Sequence, residues 1–336
     1  MEKTSPSICF FSLTKMKLRL HFQVVFLFLM AFSELHTPVL FREVIDIFSP
    51  LASRASVVVD ATLGLGGHAS LFVEHMSGWI FVGFDRDTEN LTRAKTYLWD
   101  KFPLVNKKYI PASFDTLTKS LLDEWIHHID SILYDLGVSS VHLDEWERGF
   151  SFRFDWPLDM RFDRRHGKTA ADIINSLDEK ELARIFTLYG EEKKSWFIAL
   201  EIVKSRKIAR IETTFEFLEI IKKSSFDPKS PLRVFQALRI YVNEEFSHIE
   251  SSLAQALELL APGGIIMVIT FHSLEDRLVK QFFAKYLEDT IDDVTGRIIE
   301  KSQFAKYTKK PIIPTESEIA ENPRSRSAKM RVIQKI

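Results

Sequence analysis

Short apolar runs alternate with helical stretches from residue 57 onward. This alternation predicts an α/β fold with a mostly parallel sheet and covering helices. The predicted strands cover residues 57–59, 79–84, 108–111, 129–134 and 265–270. The Pro-Gly-Gly sequence at 262–264 is expected to form a turn before the fifth strand. Residues 330–333 are expected to return to the sheet as a last strand.

The fourth and fifth predicted strands are separated by about 130 residues, far more than a crossover connection needs. Two capping-box patterns, at residues 176–179 and 213–216, each precede an apolar run with helical spacing. We therefore expect an inserted helical subdomain, which recognises the substrate, between two parts of the sheet domain. The expected boundaries are 34–140 for the first part, 141–230 for the insertion and 231–336 for the second part. The amphipathic stretch 244–260 is expected to return the chain to the sheet.

An apolar run at residues 20–32 follows three basic residues. It is too short to span a bilayer, which takes about 20 residues. Two interpretations stay open: a signal peptide with a small-x-small cleavage site at 31–33, or an upstream extension with Met30 as the working start. In either case we expect residues 1–33 to be a disordered extension that contributes nothing to function.

Composition indicates a folded globular protein, because 46% hydrophobic and 27% charged residues lie close to the globular average. The net charge is -1, so any contact with nucleic acid must come from local basic clusters. Such clusters occur at 161–168, at 204–210 and in the tail 301–336, which contains nine Lys or Arg and three Glu. The single cysteine, Cys9, excludes an internal disulfide and a cysteine-based zinc site and favours the cytoplasm. We predict no metal site.

A glycine-rich loop at residues 60–68 joins the first predicted strand to a helix. Gly64, Gly66 and Gly67 let the backbone approach a ligand closely, and the helix N-terminus offers free N–H groups. Asp85 follows Gly64 by 21 residues, at the end of the next strand, where an acid binds ribose hydroxyls. The arrangement predicts an adenosine-containing ligand. The glycine spacing also fits NAD, so an NAD-dependent oxidoreductase is an alternative.

Three of the five predicted strands end in an aspartate, namely Asp60, Asp85 and Asp135. The carboxyl ends of parallel strands line the ligand crevice of an open sheet. We therefore expect the three carboxylates to lie in one site.

Nine segments, in order along the chain, resemble the RsmH (MraW) family. They are residues 36–40, 60–68, 135–140, 147–152, 157–161, 189–192, 235–240, 271–277 and 322–327. The resemblance implies a Rossmann-like methyltransferase fold with S-adenosylmethionine as cofactor. The implied reaction is methylation of the exocyclic N4 of a cytidine in the decoding region of 16S rRNA. The implied partner is this rRNA within the small ribosomal subunit, and no membrane is involved. The oligomeric state is open, with a homodimer among the options.

The resemblance also implies which residues contact the cofactor. They are Gly66, Gly67, His68, Asp85, Phe114, Asp135 and His142. The family often has Gln at the position of His142. Trp156 stands where Gly is expected and Val234 where Thr is usual, and both departures concern the positioning of RNA.

Cytosine N4 must lose a proton as its bond to the methyl group forms, and a carboxylate that accepts a hydrogen bond from N4–H would take that proton. Asp135 is the first candidate for this base, although the resemblance also gives it a cofactor contact. His272, at the mouth of the fifth strand, is the second candidate, with a structural role equally open.

The target base must also leave its stack, and flipped bases are held by aromatic faces. Phe150, Phe152, Trp156 and Phe271 are candidates, with core packing as the ordinary alternative for each. The residues assigned to substrate RNA are Phe150, Trp156, Arg161, Arg239, Phe271, Arg324 and Arg326. A non-catalytic RNA-binding module is the second alternative to a methyltransferase.

Overall fold

Nine strands occur in the part of the chain that the computed structural model describes, which is residues 38–51, 57–75, 79–137, 148–292, 295 and 297–336. In chain order they are β1 (Val57–Asp60), β2 (Ile80–Phe84), β3 (Asn106–Ile110), β4 (Ile129–Asp135), β5 (Leu260–Thr270), β6 (Thr290–Ile291), β7 (Ile298–Glu300), β8 (Phe304–Lys306) and β9 (Lys329–Lys335). Seven of them form one sheet in the order β3-β2-β1-β4-β5-β9-β8, and β6 pairs with β7 in a separate ribbon.

The sheet is parallel from β3 to β5, and β9 and β8 are added antiparallel to it. This confirms the predicted α/β class and all of the predicted strands, including the last one. The strand β1 lies between β2 and β4. The strand order therefore reverses at β1, with β2 and β3 on one side of it and β4 and β5 on the other. A ligand crevice is expected at such a point, outside the carboxyl ends of β1 and β4.

Twelve helices occur in the described ranges. They are α1 (Phe41–Phe48), α2 (Gly67–His75), α3 (Thr88–Lys101), α4 (Leu117–Asp123), α5 (Ala170–Ser176), α6 (Glu179–Gly190), α7 (Ser195–Ser205), α8 (Thr214–Ser224), α9 (Ser230–Val242), α10 (Glu245–Leu259), α11 (Ser273–Leu287) and α12 (Glu316–Glu321). Among these described helices, none is both long enough and apolar enough to cross a membrane.

The central strands β1, β2, β4 and β5 are buried on both faces because helices cover the sheet from both sides. Val58 points into a core formed with α1, α2 and α3, whereas Val57 and Val59 point into a second core formed with α4, α10 and α11. Successive side chains of a strand alternate between faces, so a run of three valines supplies both cores.

A third core belongs to the helical region between β4 and β5. It contains side chains from Leu158 to Leu238 and includes residues of α5 to α9. The helix α9 packs into this core, so the helical region continues to Val242 and does not end at residue 230 as expected. The predicted return helix follows directly as α10, one residue shorter at each end than the predicted stretch.

One of the two predicted capping boxes and the predicted turn need correction. The box at 213–216 is present, with the Thr213 side chain accepting a hydrogen bond from the Glu216 N–H. At 176–179, however, Asp178 is the residue that caps α6. The predicted turn at 262–264 lies within β5, where the register against β4 shifts between Ile129 and Ser131.

Several expectations fall on residues outside the described ranges. They are the extension 1–33, parts of three family segments (36–37, 138–140 and 147), the start of the insertion at 141 and the cofactor contact His142.

Gly190 ends α6 at the point where this helix meets α9. A Cβ at this position would lie 2.6 Å from the carbonyl oxygen of Arg233, which is closer than such atoms approach in proteins. Only glycine therefore allows the two backbones this spacing.

We expect Gly190→Ala to lower the free energy of unfolding by about 1–3 kcal/mol, because the added methyl group must push α6 away from α9. Urea denaturation followed by circular dichroism would measure the change. Lys180→Ala, exposed on the same helix, is the control and should stay within about 0.5 kcal/mol. Equal effects of the two substitutions would contradict the steric explanation.

Candidate active site

The carboxyl ends of β1, β2 and β4 bring the three aspartates to one edge of the sheet. Asp60 is the last residue of β1 and pairs with Gly83 of β2 and Leu133 of β4. Asp85 follows β2 directly, and Asp135 is the last residue of β4. The expectation of one site is thus supported by the strand order.

The glycine loop after β1 is held by its own backbone and by the neighbouring strand. The Leu63 N–H donates to the Phe84 carbonyl (2.8 Å), and the Gly66 N–H donates to the Leu63 carbonyl (2.8 Å). Gly66 has a φ of +84°, and a Cβ there would lie 3.3 Å from Leu98 Cδ1. Left-handed backbone and close packing together require glycine at this position.

Asp85 accepts hydrogen bonds from two backbone N–H groups, one of them in this loop. Its Oδ2 accepts from the Gly64 N–H (2.9 Å) and its Oδ1 accepts from the Asp87 N–H (2.8 Å). Burial raises the pKa of Asp85 to about 7, although both hydrogen bonds oppose that rise. Its expected contact with ribose hydroxyls remains a prediction.

His68, on the first turn of α2, lies between the loop and the segment before α1. Its Nε2 lies 2.9 Å from the Val39 carbonyl oxygen, which can only accept, so Nε2 carries the hydrogen. Its Nδ1 lies 3.4 Å from Asp135 Oδ2. Burial lowers the pKa of His68, so we expect a neutral ring whose Nδ1 lone pair faces Asp135.

Asp135 is the one of the three aspartates with an unused buried oxygen. Its backbone N–H donates to Thr62 Oγ1 (2.7 Å), whereas Oδ1 is buried and has no hydrogen-bond partner among the described residues. The side chain as a whole is 27% exposed, so its other oxygen can be reached from the crevice. Burial, and secondly the charge of Glu275, raise the pKa of Asp135 to about 7.

Asp60 completes the acidic edge. It is buried, and its Oδ1 accepts a hydrogen bond from the Thr62 N–H (3.0 Å). Burial raises the pKa of Asp60 to about 7, and the charges of Asp135 and Asp85 add to the rise. All three carboxyls at this edge have a raised pKa. A positive charge beside them would favour their ionised forms, so the edge suits a positively charged ligand.

Phe114 lies close to this edge, in a short 3-10 helix (Phe114–Thr116) after β3. Its ring meets the buried Tyr134 ring edge to face, with centroids 5.7 Å apart. An aromatic ring at this place can pack against an adenine, as expected of a cofactor contact.

At the end of β5 the structure gives His272 a structural role. It is the N-cap of α11, and its Nδ1 accepts a hydrogen bond from the Glu275 N–H (3.3 Å). Its Nε2 lies 2.9 Å from Glu275 Oε1. Nδ1 is thus used by the helix cap, whereas Nε2 makes no hydrogen bond among the described residues, so His272 as a base stays a prediction.

Two arginines assigned to RNA form internal ion pairs. Arg239 is 15% exposed and binds both carboxylate oxygens of Glu245, at 2.8 and 2.9 Å. Arg161 binds both oxygens of Asp159, at 2.7 and 2.9 Å. Such a pair uses two of the five guanidinium N–H donors, and the carboxylate offsets the charge that would attract a phosphate.

The aromatic candidates differ in their surroundings. Phe150 stacks on Phe162, with centroids 5.2 Å apart, and packs against the helical core. Trp156 is half-buried, and its indole N–H has no hydrogen-bond partner in the described ranges. Phe271 packs against the core under α1 to α3, and its Cδ2 would lie 3.7 Å from a Cβ on Gly137. Phe271 therefore lies beside Gly137, two residues after Asp135.

Arg324 and Arg326 are exposed on a short 3-10 helix (Pro323–Ser327) that precedes β9. The first residue of β9, Lys329, pairs with the last residue of β5, Thr270. The chain that carries the two arginines therefore joins the sheet at the edge where the aspartates lie.

Sequence reasoning missed Glu275, which is fully buried beside His272. The available signal was a capping box with histidine in place of serine or threonine, because Glu275 lies three residues after the cap.

The MraW methylase family matches residues 33–336 of this chain. The chain belongs to the MraW methylase family. Curated relatives of similar sequence support this membership. Ribosomal RNA small subunit methyltransferase H of Streptococcus mutans is 43% identical over 90% of this chain and 98% of the relative. The proteins of the same name from Paenibacillus and Bacteroides fragilis are each 42% identical, over 90% and 89% of this chain and 99% and 97% of the relatives.

Membership of the MraW methylase family confirms the family identified from the sequence motifs. It also supports S-adenosylmethionine as the cofactor and decides against the oxidoreductase alternative. The glycine spacing alone did not distinguish these two readings.

The charge of Asp60 should make the stability of the unliganded protein depend on pH. In the folded protein Asp60 holds its proton up to about pH 7, whereas the unfolded chain loses it near its ordinary value of 3.8. Between these values the ionised unfolded state is favoured, so this group weakens folding as pH rises.

We expect Asp60→Asn to become more stable than the unchanged protein as pH rises from 5 to 7.5, by about 2 kcal/mol, because the amide has no charge to desolvate. Urea denaturation across this pH range would measure the difference. Asp46→Asn, exposed on α1, is the control and should show no such trend. A difference for Asp60→Asn that is constant across pH would refute the expected burial of a neutral carboxyl.

Proposed function

We propose that this protein transfers a methyl group from S-adenosylmethionine to the exocyclic N4 of a cytidine in the decoding region of 16S rRNA. The observation that carries the proposal is Asp135, whose unpartnered oxygen lies at the end of β4 beside the glycine loop. The resemblance in sequence and the names of the relatives support rRNA as the substrate. The cysteine usage supports a cytoplasmic reaction.

The residues of the acidic edge fit the cofactor by charge. S-adenosylmethionine supplies a methyl group on a positively charged sulfur, and it carries an ammonium group as well. Gly66 and Gly67 let the loop pack closely against its neighbours, since a Cβ would lie 3.3 Å from Leu98 Cδ1 at Gly66 and 3.0 Å from Pro38 Cγ at Gly67. Asp85 and Phe114 are proposed to bind the ribose and adenine, and His68 and Asp135 the methionine end.

The main task of the protein is to align the nucleophile with the methyl group. Asp135 is proposed to accept a hydrogen bond from N4–H and then to take the proton. A pKa of about 7 suits this role, because such a carboxylate is ionised in part at neutral pH and is still basic enough to bind a proton.

Phe271 is proposed to pack against the flipped cytosine, because it lies at the end of β5 next to Gly137. Arg324 and Arg326 are proposed to bind phosphates at the same edge of the sheet. Phe150, Trp156, Arg161 and Arg239 are retained as weaker candidates, since each packs or pairs within the helical region or beside it.

Purified protein, incubated with labelled S-adenosylmethionine and unmodified small ribosomal subunits, should yield N4-methylcytidine on nucleoside analysis. Free 16S rRNA in a parallel reaction distinguishes the two forms of the substrate. Binding of RNA without any methylated nucleoside would favour the non-catalytic module.

Asp135→Asn should lower the single-turnover rate of methyl transfer by about 10²- to 10⁴-fold, because the amide cannot accept the N4 proton. Cofactor affinity should change much less, by about 1 kcal/mol for one altered hydrogen bond. His272→Asn is the comparison, since asparagine retains a helix cap and should cost little. If the Asp135 variant loses rate only in proportion to cofactor affinity, Asp135 positions the cofactor and is not the base.

The double variant Arg324→Ala/Arg326→Ala should reduce the salt dependence of RNA binding. Each phosphate contact removed should lower the slope of log K against log salt by about 0.7–0.9. Lys280→Ala/Lys285→Ala on α11 is the matched control, because it removes two exposed charges along the helix that leads away from this edge. An unchanged slope for the arginine variant would assign both arginines to solvated surface.

A further inference from the structure

A cavity lies between the helical region and the start of α10. Its volume is about 330 Å³, within the range of about 300–1,000 Å³ that is usual for ligand sites. Its lining includes Lys168 before α5, Tyr189 near the end of α6, Tyr241 near the end of α9 and Phe246 in the first turn of α10. The reaction as proposed above uses none of these side chains.

Three aromatic rings form one wall of this cavity. The ring of Tyr189 lies 6.5 Å from that of Tyr241 and 5.5 Å from that of Phe246, measured between centroids. Phe246 in turn lies 6.3 Å from the ring of His272, which follows β5. A row of rings thus leads from the cavity to the end of β5, at the border of the crevice. Partly exposed rings in a row are the surface on which successive bases of a single strand stack.

The polar groups of the cavity suit a negatively charged ligand. Lys168 is exposed, and its ammonium group has no ion pair or hydrogen bond among the described residues. The hydroxyls of Tyr189 and Tyr241 are also without a hydrogen-bond partner in that part of the chain. The acidic residue of the lining, Glu244, is 73% exposed and lies 3.7 Å from His248 Nε2, so solvent screens much of its charge. A flat ring that carries a phosphate matches these groups.

We propose that this cavity binds an unpaired nucleotide of the substrate RNA next to the target cytidine, with the base against Tyr189 and Tyr241 and the phosphate on Lys168. The target base itself belongs in the crevice, because no residue of the glycine loop or of β1, β2 and β4 lines the cavity. The row of rings then marks the path of the strand between the two sites. This inference rests on the proposed function for the identity of the RNA.

Two positions test the two parts of the nucleotide. Tyr241→Leu removes a ring but retains an apolar side chain, and Tyr241→Phe retains the ring. Lys168→Ala removes the charge. The matched controls are Phe226→Leu, a fully exposed ring between α8 and α9, and Lys223→Ala, exposed on α8. Neither control residue lines the cavity.

The measurements are affinity for unmodified small subunits and for free 16S rRNA at several salt concentrations, kcat and KM of methyl transfer, and cofactor affinity by calorimetry. Circular dichroism confirms folding. We expect Tyr241→Leu to weaken RNA binding and to raise KM by about fivefold to a hundredfold, with kcat and cofactor affinity unchanged, because one stacking contact is lost. Tyr241→Phe should retain most of the affinity.

Lys168→Ala should lower the slope of log K against log salt by about 0.7–0.9, the effect of one phosphate contact. The two controls should change neither affinity nor slope. If Tyr241→Leu does not fold, this slope decides: an unchanged value would overturn the proposal.

Unchanged RNA binding by Tyr241→Leu, or an equal loss in Phe226→Leu, would overturn the proposal. A fall in kcat together with affinity would place the reacting base in the cavity and contradict a neighbouring nucleotide. A loss with small subunits but not with free 16S rRNA would assign the cavity to a ribosomal protein, which also overturns it. If the unchanged protein methylates no RNA but Tyr241→Leu weakens RNA binding as expected, the proposed function fails and the nucleotide site stands.

Discussion

The desolvation of three aspartates at one edge of the sheet is the constraint on which the site depends. Asp60, Asp85 and Asp135 end or follow neighbouring parallel strands, and burial raises the pKa of each to about 7. Backbone N–H groups compensate part of this cost at Asp60 and Asp85, which in return fixes the glycine loop. Asp135 retains an unpartnered oxygen. This oxygen is where we propose that the positively charged cofactor meets the edge.

Much of the sheet could be predicted because buried parallel strands are continuous apolar runs, as in the three valines of β1. The aspartates could be placed in one site for the same reason, since strand order brings the carboxyl ends together. The three-residue strand β8 escaped prediction because so short a segment has no readable periodicity. The predicted end of the helical region, residue 230, lies before α9. The sequence does not mark the actual end, because α9 carries the same helical pattern as the helices before it.

The roles of charged residues were less predictable than their positions. Arg239 was assigned to substrate RNA, whereas in the structure it meets Glu245, which lies beyond the end of its helix, and Glu275, which lies on another helix after β5. His272 was a candidate base because the strand end faces the crevice, whereas in the structure its Nδ1 accepts a hydrogen bond from the Glu275 N–H as a helix cap. Contacts of this kind depend on tertiary packing, which no local pattern contains.

The helical region also affects how the sheet assembles. Strands β4 and β5 are neighbours, and Tyr134 of β4 binds Ser252 just before β5, although 118 residues separate the two. Each doubling of such a connection costs only about 0.6 kcal/mol of closure entropy, so a long insertion is tolerated at equilibrium. Its effect on rate is larger, because contacts distant in sequence form late. The centre of the sheet is therefore expected to close after the helical region has folded, with the acidic edge among the last parts to form.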